Sequence, residues 1–144
     1  MSLMHPWRLS IVLCVACVSL QACQDAGWRE YSNAGLEAYS RGDYGEAERF
    51  LSAAVDEAER FGPENRLLPR VLINLAGLYR TLGRYADAEA VYERALAVAK
   101  ASLGPNDPIL AMVLENYALL LRSTGRTTAA DELEVRAKAI RAAS

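Results

Sequence analysis

The chain repeats itself. A glycine opens each of three short polar turns, Gly42-Asp43-Tyr44, Gly83-Arg84-Tyr85 and Gly125-Arg126-Thr127, at intervals of 41 and then 42 residues. Alanines keep the same register: Ala47, Ala88 and Ala130 follow each glycine by five residues, and Ala54, Ala95 and Ala137 follow it by twelve. Between the units, Phe61-Gly62-Pro63 matches Leu103-Gly104-Pro105. A fixed period of this length leaves few folds open, because one unit cannot bury its own apolar face and must stack on the next. The expected fold is all-α, a right-handed solenoid of three antiparallel helical hairpins.

The middle unit shows the pattern best. Leu72, Leu75, Ala76 and Tyr79 recur at i, i+3, i+4 and i+7, which is one stripe of a helix. Gly83 ends that stripe, in the left-handed conformation that closes many helices at no cost to glycine. A second helix places Ala88, Tyr92, Ala95 and Leu96 on one face. The small residues Ala76, Ala88 and Ala95 mark where two helices come close, and Tyr79, Tyr85 and Tyr92 are expected to fill the gaps between them.

At these residues the chain resembles the tetratricopeptide repeat family, whose basic unit of about 34 residues carries small residues and aromatics at such offsets. The longer period, the Leu103-Gly104-Pro105 motif before a first helix, and the matching runs Leu72-Ile73-Asn74-Leu75-Ala76 and Leu114-Glu115-Asn116-Tyr117-Ala118 resemble the extended repeats of kinesin light chains. The resemblance runs from Trp28 to about Ala142, with repeats near 28–61, 69–102 and 111–142. It is strongest in the middle hairpin and weakest in the second helix of the last.

The residues before the first repeat read differently. Arg8 gives a positive start and Leu9 to Leu20 an apolar core, too short for a bilayer span of about 20 residues. Leu20-Gln21-Ala22-Cys23 then resembles the lipobox of bacterial lipoproteins. That resemblance implies cleavage after Ala22, removal of 1–22, and lipidation of Cys23, with 23–28 as a tether and 29–142 as the folded domain. An ordinary secretory signal, or a buried apolar N-terminus, is the alternative. Cys14 and Cys17 fall in the discarded segment, so the mature chain has no thiol left for a disulfide. Lipoproteins with aspartate directly after the lipidated cysteine stay at the inner membrane. Gln24 here implies the periplasmic face of the outer membrane, with an inner-membrane lipoprotein or a soluble periplasmic protein as alternatives.

Helix limits follow from local chemistry. The first hairpin is expected near Arg29 to Ser40 and Tyr44 to Arg60. The middle one begins near Leu68, since Pro69 is best tolerated in a first turn. Asp107-Pro108 is an N-cap followed by proline at the first helical position, opening a helix to about Arg122. The last helix, Thr127 to about Ala142, is expected to be capped by its threonines. Where the middle hairpin has Tyr85, Tyr92 and Leu96, this helix has Thr127, Glu134 and Lys138. That polarity suits a final helix with no following repeat to cover it. It also leaves open a surface that meets a partner or a second copy.

The mature chain is poor in reactive groups. It contains no histidine, because His5 lies in the leader, and its lysines are Lys100 and Lys138. Catalytic residues, metal ligands and cofactors are therefore expected to be none. The carboxylate runs Asp56/Glu57/Glu59 and Asp131/Glu132/Glu134 are expected on solvated helix faces. A formal charge of −2 gives no reason to expect nucleic acid.

Binding is better supported. In the resembled family, first helices line the concave face of the array, and asparagine at one position there can bond the backbone of an extended peptide. Laying the turn glycines on that pattern puts Asn33, Asn74 and Asn116 at this position. It puts Arg29 and Arg70 at a second, and Tyr39, Arg80 and Arg122 at a third. An amide carries both donor and acceptor, so it can satisfy a peptide unit whatever its side chain. Arginines beside it suit an acidic segment or a C-terminal carboxylate. Equally, these arginines could pair with Glu30, Glu37 or Glu115 on neighbouring turns. The expected role is a non-catalytic scaffold or adaptor that binds a protein or peptide partner in the cell envelope. A self-assembling structural subunit and a silent accessory subunit of an envelope enzyme complex are the alternatives, and the oligomeric state is open.

Overall fold

The computed structural model describes residues 27–62 and 65–144, and the elements within them are helices joined by short turns. The leader, Cys23, the start of the tether and Pro63 of the first interhairpin loop lie outside the described residues. Helix α1 covers 27–40. It is followed by α2 (Tyr44–Glu59), α3 (Leu68–Thr81), α4 (Tyr85–Ser102), α5 (Pro108–Ser123) and α6 (Thr127–Ala143). Within hairpins α3 packs on α4 and α5 on α6; between them α2 packs on α3, α4 on α5, and α3 on α5. This is the contact order of a stack of hairpins, each touching only its neighbours.

The three predicted turns share one geometry. Gly42, Gly83 and Gly125 have φ of 79°, 72° and 78°. In the middle turn the Gly83 N–H donates to the Arg80 carbonyl at 3.1 Å and the Arg84 N–H to the Tyr79 carbonyl at 2.9 Å. The same pair of bonds recurs at Gly42/Asp43 and Gly125/Arg126. This is the Schellman closure, which satisfies carbonyls that the helix end would otherwise leave bare. The two interhairpin loops are less alike than their sequences. Gly62 is left-handed at φ 88°, while α4 ends on an extended Leu103 and Gly104 is not in the left-handed region.

Helix starts follow the chemistry unevenly. Asp43 accepts from the Glu46 N–H and Asp107 from the Ile109 N–H, so both aspartates cap their helices. The threonines do not cap α6. Its N-cap is Arg126, without a side-chain cap bond, and Thr127 is already the first helical residue. Thr124 instead bonds back to the Leu120 and Leu121 carbonyls and accepts from Arg126.

All six register alanines, from Ala47 to Ala137, are fully buried, so the small residues do sit where helices meet. Of the three gap-filling tyrosines, Tyr92 is fully buried and Tyr79 half-buried, whereas Tyr85 is exposed. Tyr85 is the first residue of α4. Trp28 and Gly27 are helical and Trp28 is buried in the core, so the tether ends before residue 27, not at 28. Only Ala130, Ala137 and Ile140 are buried in α6, while Thr127 and Lys138 face solvent. The final helix thus has the wet outer face that the end of a stack requires.

Candidate functional site

The first helices of the hairpins share one face, and two adjoining cavities run along it. The larger, about 450 Å³, lies between Trp28, Arg29, Ser32, Asn33, Leu36, Arg70, Asn74 and Met112. The smaller, about 180 Å³, lies between Leu36, Tyr39, Leu51, Ile73, Asn74, Gly77, Leu78, Arg80 and Asn116. Leu36 and Asn74 belong to both walls, so the two spaces are parts of one groove. It brings together Arg29, Asn33, Arg70 and Asn74 at one end, and Tyr39, Asn74, Arg80 and Asn116 at the other. Arg122 is in neither wall. Its guanidinium turns to α6, where it bonds Asp131 at 2.6 Å and Glu134 at 3.0 Å.

The asparagines are held from below. Asn74 donates to Ser32 Oγ at 3.0 Å, a bond between α3 and α1 across the repeat boundary. Asn116 donates to the Met112 carbonyl one turn back at 2.9 Å. Each bond uses one of two amide N–H groups and fixes the side chain, leaving its oxygen and second N–H for a ligand. Asn33 is exposed and has no hydrogen-bond partner among the described residues. Tyr39 closes the far wall with a 2.9 Å bond to Thr81, again across a repeat boundary.

Charge is distributed unevenly. No aspartate or glutamate lines either cavity. Glu37 and Glu115 are taken by Arg41 and Arg141 and do not neutralise the groove. Among the described residues Arg29, Arg70 and Arg80 have no carboxylate partner, whereas most other arginines do. Arg29 lies over the Trp28 ring at 5.3 Å. The indole N–H of Trp28 and Nε of Arg80 are buried without a hydrogen-bond partner. Arg80 also reaches toward the buried hydroxyl of Tyr92. Burial raises the pKa of that hydroxyl, and the nearby guanidinium pulls it the other way.

Away from the groove, a recurring ion pair clasps successive hairpins, and sequence reasoning missed it. Arg84, just after the second turn, bonds Glu48 of the preceding hairpin at 2.8 Å. Arg126, at the equivalent place after the third turn, grips Glu89 through both oxygens at 2.6 and 2.9 Å. The sequence signal was present: a glutamate at 48 and 89 answered by arginine 36 and 37 residues later. Arg84 also lies 4.2 Å over the Tyr79 ring. Tyr117, stacked on Tyr92 at 5.7 Å, donates to Glu89, and its own pKa is pushed up to about 12, first by burial and then by that carboxylate. The acidic runs are not simply solvated, since Glu57, Glu59, Asp131 and Glu134 all sit in ion pairs. Among the described residues no cluster of histidine, cysteine and carboxylates could hold a metal ion, and no helix is long and apolar enough to cross a membrane.

A family model described as tetratricopeptide repeat matches residues 31–101 and, overlapping, 67–143. No curated protein matches the chain. Among the solved structures similar to it are two that align with most of this chain. One is a protein of Podosopora anserina described as a kinesin light chain with nearly identical TPR-like repeats: TM-score 0.69, 20% identity, 80% of this chain and 55% of that one. The other is BtubC (BKLC) from P. vanneervenii: TM-score 0.72, 22% identity, 91% of this chain and 54% of that one. The chain therefore spans about half the length of the solved structures it matches.

Proposed function

The chain belongs to the tetratricopeptide repeat family, and from that premise we propose that it is a non-catalytic interaction module which holds an extended acidic segment of a partner protein. The segment lies along the face of α1, α3 and α5, with its backbone on Asn33, Asn74 and Asn116 and its carboxylates toward Arg29, Arg70 and Arg80. The observation that carries this reading is the set of arginines without carboxylate partners beside a groove with no acidic wall. An unpaired guanidinium at a partly desolvated surface gains most from an incoming carboxylate, and its planar fork matches one bidentately. A tether through a lipidated Cys23, at the periplasmic face of a bacterial outer membrane, would make it an adaptor of an envelope assembly. The lipobox at Leu20 to Cys23 supports that placement.

Self-assembly by continuing the stack is disfavoured by charge. A second copy added to the C-terminal end would bring Asp43 to the place that Arg84 and Arg126 occupy. It would meet Asp131, at the place of Glu48 and Glu89, so two carboxylates would replace the clasp.

The test is peptide binding to the full chain in detergent, by fluorescence anisotropy with acidic and charge-neutralised versions of the same peptides. Arg29→Ala with Arg70→Ala should weaken acidic-peptide binding about tenfold or more and flatten its salt dependence, since exposed charge contacts are screened by salt. The melting temperature should change little, because neither guanidinium is in an ion pair with the fold and Arg29 touches only the ring of its neighbour Trp28. Equal binding of acidic and neutral peptides would overturn the assignment.

A further inference from the structure

The asparagine positions 33, 74 and 116 have a companion row three residues on, at Leu36, Gly77 and Leu119. Leu36 and Leu119 are both large apolar side chains left substantially exposed, at 43% and 46%. Between them the row is empty. Gly77 is inside α3 and is not among the glycines with positive φ, so its backbone does not require glycine. Packing does not require it either, since a Cβ built there meets nothing within 4 Å. Glycine is a poorer helix residue than alanine. What its presence does is leave the smaller cavity open above Leu51, Ile73 and Leu78.

We propose that Gly77 opens a side-chain slot in the groove, and that the bound segment is an extended acidic peptide which inserts one aliphatic residue, of leucine or isoleucine size, into it. The inference rests on the groove reading above and adds what that segment must carry. The slot is about 180 Å³, below the range of about 300–1,000 Å³ usual for small-molecule sites, and so suits one side chain. Its floor is apolar and its rim is polar, from Asn74, Asn116 and Arg80. A peptide residue can thus bury its side chain while its backbone stays hydrogen-bonded. The adjoining larger cavity, with Arg29 and Arg70, takes the flanking carboxylates. Extended backbone points alternate side chains to opposite sides, so the acidic and aliphatic residues that face the groove are separated by an even number of positions.

The experiment uses an array of acetylated and amidated nonapeptides, acidic at alternate positions, with one central residue scanned through glycine, alanine, valine, leucine, isoleucine, phenylalanine, tryptophan and lysine. The full chain should prefer leucine and isoleucine over glycine and lysine by about tenfold or more, the scale of burying such a side chain. Gly77→Leu fills the slot and should abolish that preference while acidic peptides still bind weakly. Gly77→Ala should keep part of it and guards against misfolding, because the added methyl meets open space. A flat response to the central residue in the wild-type chain, with acidic peptides still binding, overturns the slot and leaves the groove standing. So does an unchanged preference in Gly77→Leu. Failure of every acidic peptide overturns both.

Discussion

Two glycines six residues apart in the middle hairpin should respond to the same substitution with opposite signs. At neither Gly77 nor Gly83 would an added Cβ come within 4 Å of another part of the fold, so packing is removed as a variable. Gly77 lies in the interior of α3, where alanine is favoured over glycine by about 0.8–1.0 kcal/mol. Gly83 sits at φ 72°, where an L side chain costs about 1–2 kcal/mol. Gly77→Ala should therefore stabilise and Gly83→Ala destabilise, a separation of about 2–3 kcal/mol. At roughly 4 °C per kcal/mol for a domain of this size, the two variants should melt about 8–12 °C apart on either side of the wild type. The middle hairpin packs against both neighbours, so the melt of the whole array, followed by far-ultraviolet circular dichroism, reports the change. Urea midpoints with an unchanged slope would confirm that stability, not compactness, moved. Shifts of the same sign would refute the reasoning, because they would mean that something other than backbone conformation sets the cost at one of the two sites. Gly77→Ala also links stability to binding: it should gain the first while losing part of the slot.

Two further outcomes are expected. Glu89→Gln should lower the melting temperature at neutral pH and cancel itself in acid. The Arg126 bond, and with it the Tyr117 hydroxyl, holds the folded Glu89 carboxyl below its ordinary value. Its contribution is complete above the unfolded value of about 4.3 and is lost as pH falls through the lower folded one. The pair is partly exposed, so the difference should be a few degrees at most, and persistence of that difference in acid strong enough to protonate the folded carboxyl would refute the clasp as its source. Cys23→Ser should abolish acylation and release the protein from membranes, because stable anchoring takes more than one acyl chain and a lipobox cysteine carries them all. Retention in the membrane fraction by the variant, with the apolar leader removed, would exclude the lipid anchor.

The repeat was legible because its signals are local. A glycine that must be left-handed, an alanine where two backbones approach, and an aspartate before proline each act within a few residues. Gly42, Gly83, Gly125, the register alanines and Asp107 accordingly stand as the spacing implied. The stripe of α3 was only partly legible. Leu72, Leu75 and Ala76 are buried as the period required, yet Val71, Ile73 and Leu78 are buried too. A helix touched by α2, α4 and α5 keeps open little more than the strip through Arg70, Asn74, Gly77 and Arg80, and periodicity alone does not count neighbours.

The groove was legible as a set of positions and illegible as a set of states. Spacing placed Asn33, Asn74 and Asn116 in one row, but only the packed chain decides which charges are already satisfied. Arg80 and Arg122 hold the same place in their repeats. Arg122 finds Asp131 and Glu134 on α6, while the corresponding residues of α4 are Glu89, already held by Arg126, and the uncharged Tyr92, which leave Arg80 without such a pair. Glu89 also accepts from Tyr117, and Arg80 turns toward Tyr92 instead. The sequence by itself determined the hairpins, their number and their closing turns, because helix and turn chemistry is decided among near neighbours. The tertiary structure alone decided which arginines stay unpaired and where Gly77 leaves space, because ion pairing and volume depend on residues on other helices, from nine to some forty positions away.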